Sequence, residues 1–585
     1  MRFVLMSFFN FCFFFVFCNG GQKILATNPN WWKSTIFYQI IVPSFRDSNN
    51  DGIGDFKGAK QGLSYLKDLG VGTVWLSSFH KSTPPLTDFA VIDFKSVHPQ
   101  FGTLADFQDF IAEAKSLGMN VIMDFIPNHS GTSHDWFVKS VRKQAPYTDY
   151  YIWKPSLSNN VSAPVPPCKW QSALGEPAWS WNEQRGEYYY HAYHKETADL
   201  NLRNNDVKKE LKDILQFWMS LGVKGFVIET VSYLFEDEKC LDDTAADKKQ
   251  SSTLNQKENL PLLKEWRKFI DEYLSKDPKT PGFLMVRVEP FEEIDADYYG
   301  DEKEPGAHIV SNPALLKKTE TINSAELDIT IGKALKQMLL KAPPLWVNWA
   351  VGGSRITRVA NRLGKELIDG ANMLMLMLPG TPITYYGEEI GMEAFHKIPT
   401  AYTAIDSYAR DRTPFQWCDH PNAGFTESHA TDTYLPVNSN YFRINVESEK
   451  EDTKSHLNNY KRVAKLRNQP EMLTADVSTF LMNANVYALV RETSTDKKYI
   501  VLVNFAENSP CINFKQNILD IKDPYLFVHS ASENSEYNIN ERVNIDNCFM
   551  MRPKSSLLLT TSGSSILRIT LGILMLPIYL SCRAA

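Results

Sequence analysis

The chain has 585 residues, of which 43% are hydrophobic and 22% charged, with a formal net charge of −6. That apolar content supplies a globular protein of several domains, or one large barrel with insertions. The acidic balance excludes the basic surface that a nucleic-acid partner needs, so no nucleic-acid role is expected.

The N-terminus reads Met1-Arg2, an apolar run from Phe3 to Phe17 and then the small residues Asn19-Gly20-Gly21. This is the layout of a secretory signal, residues 1–20, cleaved near Gly20. An uncleaved signal anchor is the alternative, although the run is shorter than the ~20 residues that span a bilayer. Secretion makes Asn160-Val161-Ser162 a glycosylation acceptor, whereas Asn128-His129-Ser130 has the same pattern inside an apolar strand context and is expected to be buried. It also permits disulfides. Cys511 with Cys548 is the pair we favour, and one thiol of an odd set stays free.

Ile36 to Ile41 reads as a strand. Asp47-Ser48-Asn49-Asn50-Asp51-Gly52-Ile53-Gly54-Asp55 follows, with oxygen side chains on alternate residues and a glycine after the third. Such spacing wraps a chain around a hard cation, and Asp47, Asn49, Asp51, Asp55 and the Ile53 carbonyl are the candidate calcium ligands; an empty polar turn is the alternative. Gly62 to Leu69 is predicted helical, Thr73 to Leu76 a strand, Phe107 to Leu117 a helix and Asn120 to Phe125 a strand. Strand, helix, strand at this spacing predicts a parallel sheet with crossovers.

From Gly131 to about Leu200 helical periodicity lapses and Pro, Trp and Tyr accumulate. Gly222 to Glu236 resumes the pattern, an apolar strand that ends on a lone carboxylate, Glu229, and is expected to open into a helix. Further strands are predicted at Gly282 to Val288 and Pro344 to Val351, and periodicity continues through Met373 to Gly391. Beyond about Met472, runs such as Val486 to Val490 and Tyr499 to Asn504 predict a C-terminal β-sandwich. After Thr561-Ser562-Gly563-Ser564-Ser565 an apolar tail, Ile566 to Leu580, nearly reaches the last residue. Small residues before a short terminal apolar tail are the pattern for a glycolipid (GPI) anchor, with a short membrane helix as the alternative.

The phrases Tyr65-Leu66-Lys67-Asp68-Leu69-Gly70, Asp124-Phe125-Ile126-Pro127-Asn128-His129, Pro379-Gly380-Thr381-Pro382 and Asp411-Arg412-Thr413-Pro414-Phe415-Gln416-Trp417 resemble the α-amylase and maltase family of glycoside hydrolases over roughly residues 30 to 560. The resemblance implies a (β/α)8 TIM barrel in residues 21–471, a small domain inserted after the third strand at about 131–200, a C-terminal antiparallel β-sandwich at 472–560, and a calcium loop of the kind described above. It also implies a catalytic constellation at the strand ends, and there this chain departs. The family's nucleophile aspartate is Glu229, its neighbouring arginine Val227 and its histidine Tyr233. The acid/base position, thirteen residues before Gly300, holds Arg287. In Asn348-Trp349-Ala350-Val351-Gly352-Gly353-Ser354-Arg355 the third carboxylate is Arg355 and the preceding histidine Ser354. The loop Asp88-Phe89-Ala90-Val91-Ile92-Asp93-Phe94 lacks the family's Tyr-Asp pair, so Asp124 and His129 are what remains of the sugar-binding set.

Retaining glycoside hydrolysis requires a carboxylate nucleophile and a protonated carboxylic acid about 5 Å apart, and arginine cannot supply that proton at neutral pH. Glu289, two residues past Arg287, is the only rescue candidate. The reading is a maltase-like protein of the cell surface with little or no hydrolysis, acting by binding a carbohydrate, an anionic small ligand or a protein partner. An α-glucosidase with residual or altered hydrolysis is one alternative, and an ectodomain like that of an amino-acid-transporter heavy chain is another. Glu229 is expected to pair with Arg287 or Arg355, because a buried charge needs compensation.

Overall fold

The computed structural model describes residues 30–561, apart from 84–89, 161, 243–251, 276–280, 290–293, 317–322, 341–344, 399–407, 428–431, 515–520 and 522. The signal segment, nearly all of the tail, Asp88, Phe89 and Val161 thus lie outside the described residues.

Eight short strands organise the N-terminal part: β1 (Phe37–Ile40), β2 (Thr73–Leu76), β3 (Asn120–Asp124), β4 (Gly225–Ile228), β5 (Phe283–Val286), β6 (Ile309–Val310), β7 (Asn348–Ala350) and β8 (Thr381–Tyr385). They form one sheet in the order β6-β5-β4-β3-β2-β1-β8-β7, with neighbouring strands parallel. Its two ends meet through side chains: the Asn312 N–H donates to Asn348 Oδ1 at 2.9 Å, and Asn312 Nδ2 donates to the Asn348 carbonyl at 3.0 Å. The sheet is thereby closed into the predicted barrel.

Strand alternation sorts the side chains into two layers. Phe37, Trp75, Ile122, Val227, Met285, Ile309, Ala350 and Ile383 pack together inside the barrel. Tyr38, Val74, Met123, Phe226, Ile228, Leu284 and Val286 point outward to the helices. Those helices carry the matching apolar stripe. In α2 (Asn205–Ser220) Val207, Leu211, Ile214, Leu215 and Trp218 are buried at helical spacing, and the Asn204 side chain caps the start by accepting from Asp206 N–H. In α1 (Leu104–Ser116) Thr103 and Asp106 form a reciprocal capping box.

After β3 the chain leaves the barrel and returns beside its own exit, where His129–Gly131 pairs antiparallel with Thr197–Asp199. The excursion holds a three-stranded sheet (Trp153–Lys154, Glu187–Tyr190, Trp179–Asn182) around an aromatic cluster of Trp170, Trp179, Tyr188 and Tyr190. It also contains a helix, Asp135–Val141, which the lapse in periodicity did not predict because its seven residues complete too few turns. Cys168 bonds Cys240, fastening the excursion to the loop after β4, and Cys511 bonds Cys548 as the sequence favoured, while Cys418 is a free thiol.

The C-terminal strands β9 (Asp476–Leu481), β10 (Val486–Glu492), β11 (Lys498–Asn504), β12 (Tyr525–Ala531), β13 (Arg542–Asn544) and β14 (Ser556–Thr560) form an antiparallel sheet in the order β9-β10-β11-β14-β12-β13. One face (Tyr487, Leu489, Val501, Val503, Leu558) joins the main core. The other (Val486, Ala488, Ile500, Leu502, Leu557, Leu559) packs with Ile512, Phe514 and Phe549 as a second layer.

Candidate functional site

Period-two alternation extends the inward columns past the barrel's apolar plug. Ile122 leads to Asp124, Val227 to Glu229, Met285 to Arg287, Trp75 to Ser77 and Phe37 to Gln39. Register then fixes their heights. Ile228 pairs with Val286, so Glu229 and Arg287 lie at one level on neighbouring strand ends; Val227 pairs with Asp124, so Asp124 lies deeper.

At the centre Arg355 Nε donates to Glu229 Oε2 at 2.9 Å, with side chains only 14% and 10% exposed. Of the two partners that the sequence left open for Glu229, Arg355 makes this contact. Burial works against the Arg355 charge, but Glu229, then Tyr193 and Asp124, outweigh it together with the opposing Arg412, and its pKa is raised. Asp124 lies beneath, accepting from Trp75 Nε1 at 2.7 Å and from the Ser78 N–H at 3.1 Å. Burial and then the Glu229 carboxylate push its pKa well up, against Trp75, Arg355 and Ser78. This acid is therefore biased toward its neutral form.

Arg287 lies beside Glu289. Its Nε is 3.6 Å from Glu289 Oε1, and the Glu289 N–H and carbonyl are engaged by Ser232 and Asn255. The rescue candidate is thus drawn to the arginine that occupies the acid position. Val227, where the resemblance implied an arginine, is a fully apolar member of the barrel plug.

Glu229 leads into a 3-10 turn, Val231–Tyr233, and not the expected helix. The Val231 and Ser232 carbonyls that a helix would need accept instead from the Asn259 amide, and Ser232 O also accepts from Asn255 N–H. Tertiary partners have replaced the helical ones.

His129 is buried, with its Nδ1 3.3 Å from Asn128 Nδ2 and its ring against Tyr193 at 5.5 Å. Asn128 is itself buried, as expected, and donates to Asp199. Tyr193 also packs on Tyr233 at 5.2 Å. It therefore joins the rings of His129 and Tyr233 and acts electrostatically on Arg355, and with Gln39, Ser77, Trp75 and Arg412 it is a site residue that the sequence reading did not name. Gln39 donates to Ser77 Oγ at 3.0 Å and to Ser354 Oγ at 3.2 Å, and Arg412 Nε donates to the Ser354 carbonyl. Asp124 was named through the family resemblance; alternation along β1 and β2, which the sequence reading did not apply there, places Gln39 and Ser77 on the same inward side.

The candidate calcium loop is remote from these groups. Asp47 accepts from the Asn49, Asn50 and Gly52 N–H groups, Asp51 from Ile53 N–H, Asn49 from Asp51 N–H, and Asp55 from Ser48 and from Gly58 N–H as a helix cap. The donor types suit a hard cation. Among the described residues, however, no group of three or more His, Cys, Asp or Glu side chains is placed to hold a metal ion, and as it stands the loop is ordered by these N–H bonds.

An alpha-amylase catalytic-domain family model matches residues 39–476. Maltase 1 of Drosophila virilis is 34% identical over 546 residues, spanning 89% of this chain and 85% of its own. The alpha-glucosidase of Culex pipiens is 32% identical over 566 residues, spanning 93% and 94%. Amino acid transporter heavy chain SLC3A1 of Homo sapiens is 36% identical over 510 residues, spanning 83% and 73%. Among solved structures, trehalose-6-phosphate hydrolase of Bacillus licheniformis superposes with a TM-score of 0.76 at 26% identity, covering 91% of this chain and 100% of that one. The barrel, the family match and the relatives together show that the chain belongs to the alpha-amylase family, among its maltase and alpha-glucosidase homologues.

Proposed function

We propose that this protein is a maltase-family member that has lost glycoside hydrolysis and acts by binding at the cell surface. The observation that carries the reading is the Glu229–Arg355 contact at 2.9 Å beside Arg287. Hydrolysis needs two carboxyl groups facing one glycosidic bond. Here the strand-end acid at that level, Glu229, is held by a guanidinium, and its neighbour at the same height is a second guanidinium that cannot release a proton near neutral pH. Asp124 is no substitute: both its oxygens are engaged, and it lies below the level of Glu229.

The likeness to SLC3A1, named as an amino acid transporter heavy chain, supports a second reading in which the barrel is an ectodomain serving a protein partner. The likeness to maltases supports the opposite one, an α-glucosidase with residual activity. An α-glucoside hydrolysis assay on the purified ectodomain separates the last from the first two. N-terminal sequencing of the mature protein separates a cleaved signal from the membrane anchor that a heavy-chain arrangement needs.

Surface attachment by a glycolipid anchor follows from the small residues Thr561 to Ser565 before the apolar tail. Phosphatidylinositol-specific phospholipase should then release the protein from cells, and retention with the tail still attached would exclude the anchor. Calcium in the Asp47 to Asp55 loop is proposed as structural, supported by its all-oxygen donor set.

A further inference from the structure

We propose that a pocket between the barrel wall and the C-terminal sheet binds a small apolar cation, an ammonium carried on a single ring or a short chain. The inference does not depend on whether the strand ends hydrolyse a sugar. Two helices frame the pocket, α3 (Ser324–Leu340) and α4 (Ile368–Met377). Helical spacing turns Leu327, Ile331, Ala334 and Met338 of α3 into the core, and places Glu326 and Thr330 along the edge of that stripe. Leu327, Val351 just past β7, Leu363, Leu374 of α4 and Phe505 just past β11 line the space, and half-buried Glu326 joins them. Ala371 of α4 reaches it with only a methyl group. The space is about 530 Å³, part of it open to solvent, and falls in the range of pockets that take small molecules.

The class of ligand follows from which polar groups of the wall are already engaged. The Thr330 hydroxyl is used within its own helix, by the Glu326 carbonyl at 2.9 Å and the Leu327 carbonyl at 3.0 Å. The Leu315 and Val351 carbonyls both accept from Arg362 Nη2. Glu326 spends its N–H on Asn323 Oδ1 at 2.8 Å, while its carboxylate has no ion-pair or hydrogen-bond partner among the described residues. The pocket is thus an apolar box with one anionic group. A sugar placed here would leave most of its hydroxyls unpaired against Leu, Val and Phe side chains, which is costly. An apolar body instead takes that wall out of water, and an ammonium beside Glu326 makes a charge-assisted hydrogen bond.

Isothermal titration of the native ectodomain at pH 7 with benzylamine and with benzyl alcohol, its uncharged counterpart on the same ring, tests this. We expect benzylamine to bind at least about tenfold more tightly than benzyl alcohol, and Glu326→Gln to bring its affinity down to that of the alcohol, whose own binding should not change. Ala371→Leu fills the space from α4 and should abolish binding of both. If that variant does not fold, Glu326→Gln still decides, because its amide keeps the shape of a half-buried side chain at a helix edge. The proposal is overturned if benzylamine does not bind, if benzyl alcohol binds as tightly, or if Glu326→Gln binds the amine normally. Normal binding by a folded Ala371→Leu would place the amine elsewhere on the protein and overturn it equally.

Discussion

Replacing Arg355 by methionine keeps an unbranched stem as long as arginine's through Nε and removes the guanidinium with its charge, which tests the central contact. Glu229 would then be a buried carboxylate beside Asp124, whose pKa its charge already pushes upward. Removing one partner of a buried pair costs about 3–5 kcal/mol. Because the two side chains are still 10% and 14% exposed, the lower end applies, and we expect about 3 kcal/mol. Glu229→Gln should cost less, about 1 kcal/mol, because it removes the like charge facing Asp124 and leaves Arg355 with Asp124 and Tyr193. The double variant should recover part of the loss, giving a coupling of about 2 kcal/mol. Urea unfolding of the four proteins at pH 7, followed by tryptophan fluorescence, measures the cycle. Equal single costs that add to within about 0.5 kcal/mol would show that the two side chains do not sense each other and would refute the reasoning.

Three more expectations follow from other parts of the fold. Burial disfavours a charged His456, but Asp369 at 2.9 Å, with Glu449 and Glu533, overrides it and lifts the pKa to about 9; this stabilisation is complete below the unfolded value near 6.5 and is lost as pH rises through about 9. Melting curves should show up to about 3 kcal/mol lost across that window, with a flatter slope between pH 8 and 9 in His456→Gln; parallel profiles would contradict the assignment. The Cys168–Cys240 bond closes a 72-residue separation, so a Cys168→Ser, Cys240→Ser double variant should lose about 4 kcal/mol by loop entropy, read as a lower melting temperature and faster proteolysis of the 131–200 excursion. Exhaustive chelation should lower the thermal midpoint and calcium restore it, because Asp47, Asp51 and Asp55 share one short loop; an unchanged midpoint would leave the loop to its N–H bonds alone.

The barrel was legible because its strands are apolar runs between turn residues, as at Thr73–Leu76, whose bounds the sequence marks without error. Ile309–Val310 was not, since two residues carry no period, and the closure through Asn312 and Asn348 depends on a tertiary approach that no local pattern encodes. In the site, Asp124, Glu229 and Arg287 were legible through the family resemblance, and alternation along β3, β4 and β5 accounts for the inward columns they occupy. The choice of Arg355 as the partner of Glu229, and the role of Tyr193 from the excursion, arise from loops that meet only in space. The turn after Glu229 failed as a predicted helix for the same reason: Asn259, far along the chain, takes the carbonyls a helix would have used.

Loss of hydrolysis is tested by comparing the native ectodomain with Glu229→Gln on maltose, sucrose and an aryl α-glucoside. We expect no difference between them, and no gain in Arg287→Glu alone, since Arg355 would still hold Glu229 and residues acting as a unit do not recover singly. Activity should require Arg287→Glu, Arg355→Asp and Glu229→Asp together. Turnover by the native protein that disappears in Glu229→Gln would contradict the account and identify a working glycosidase.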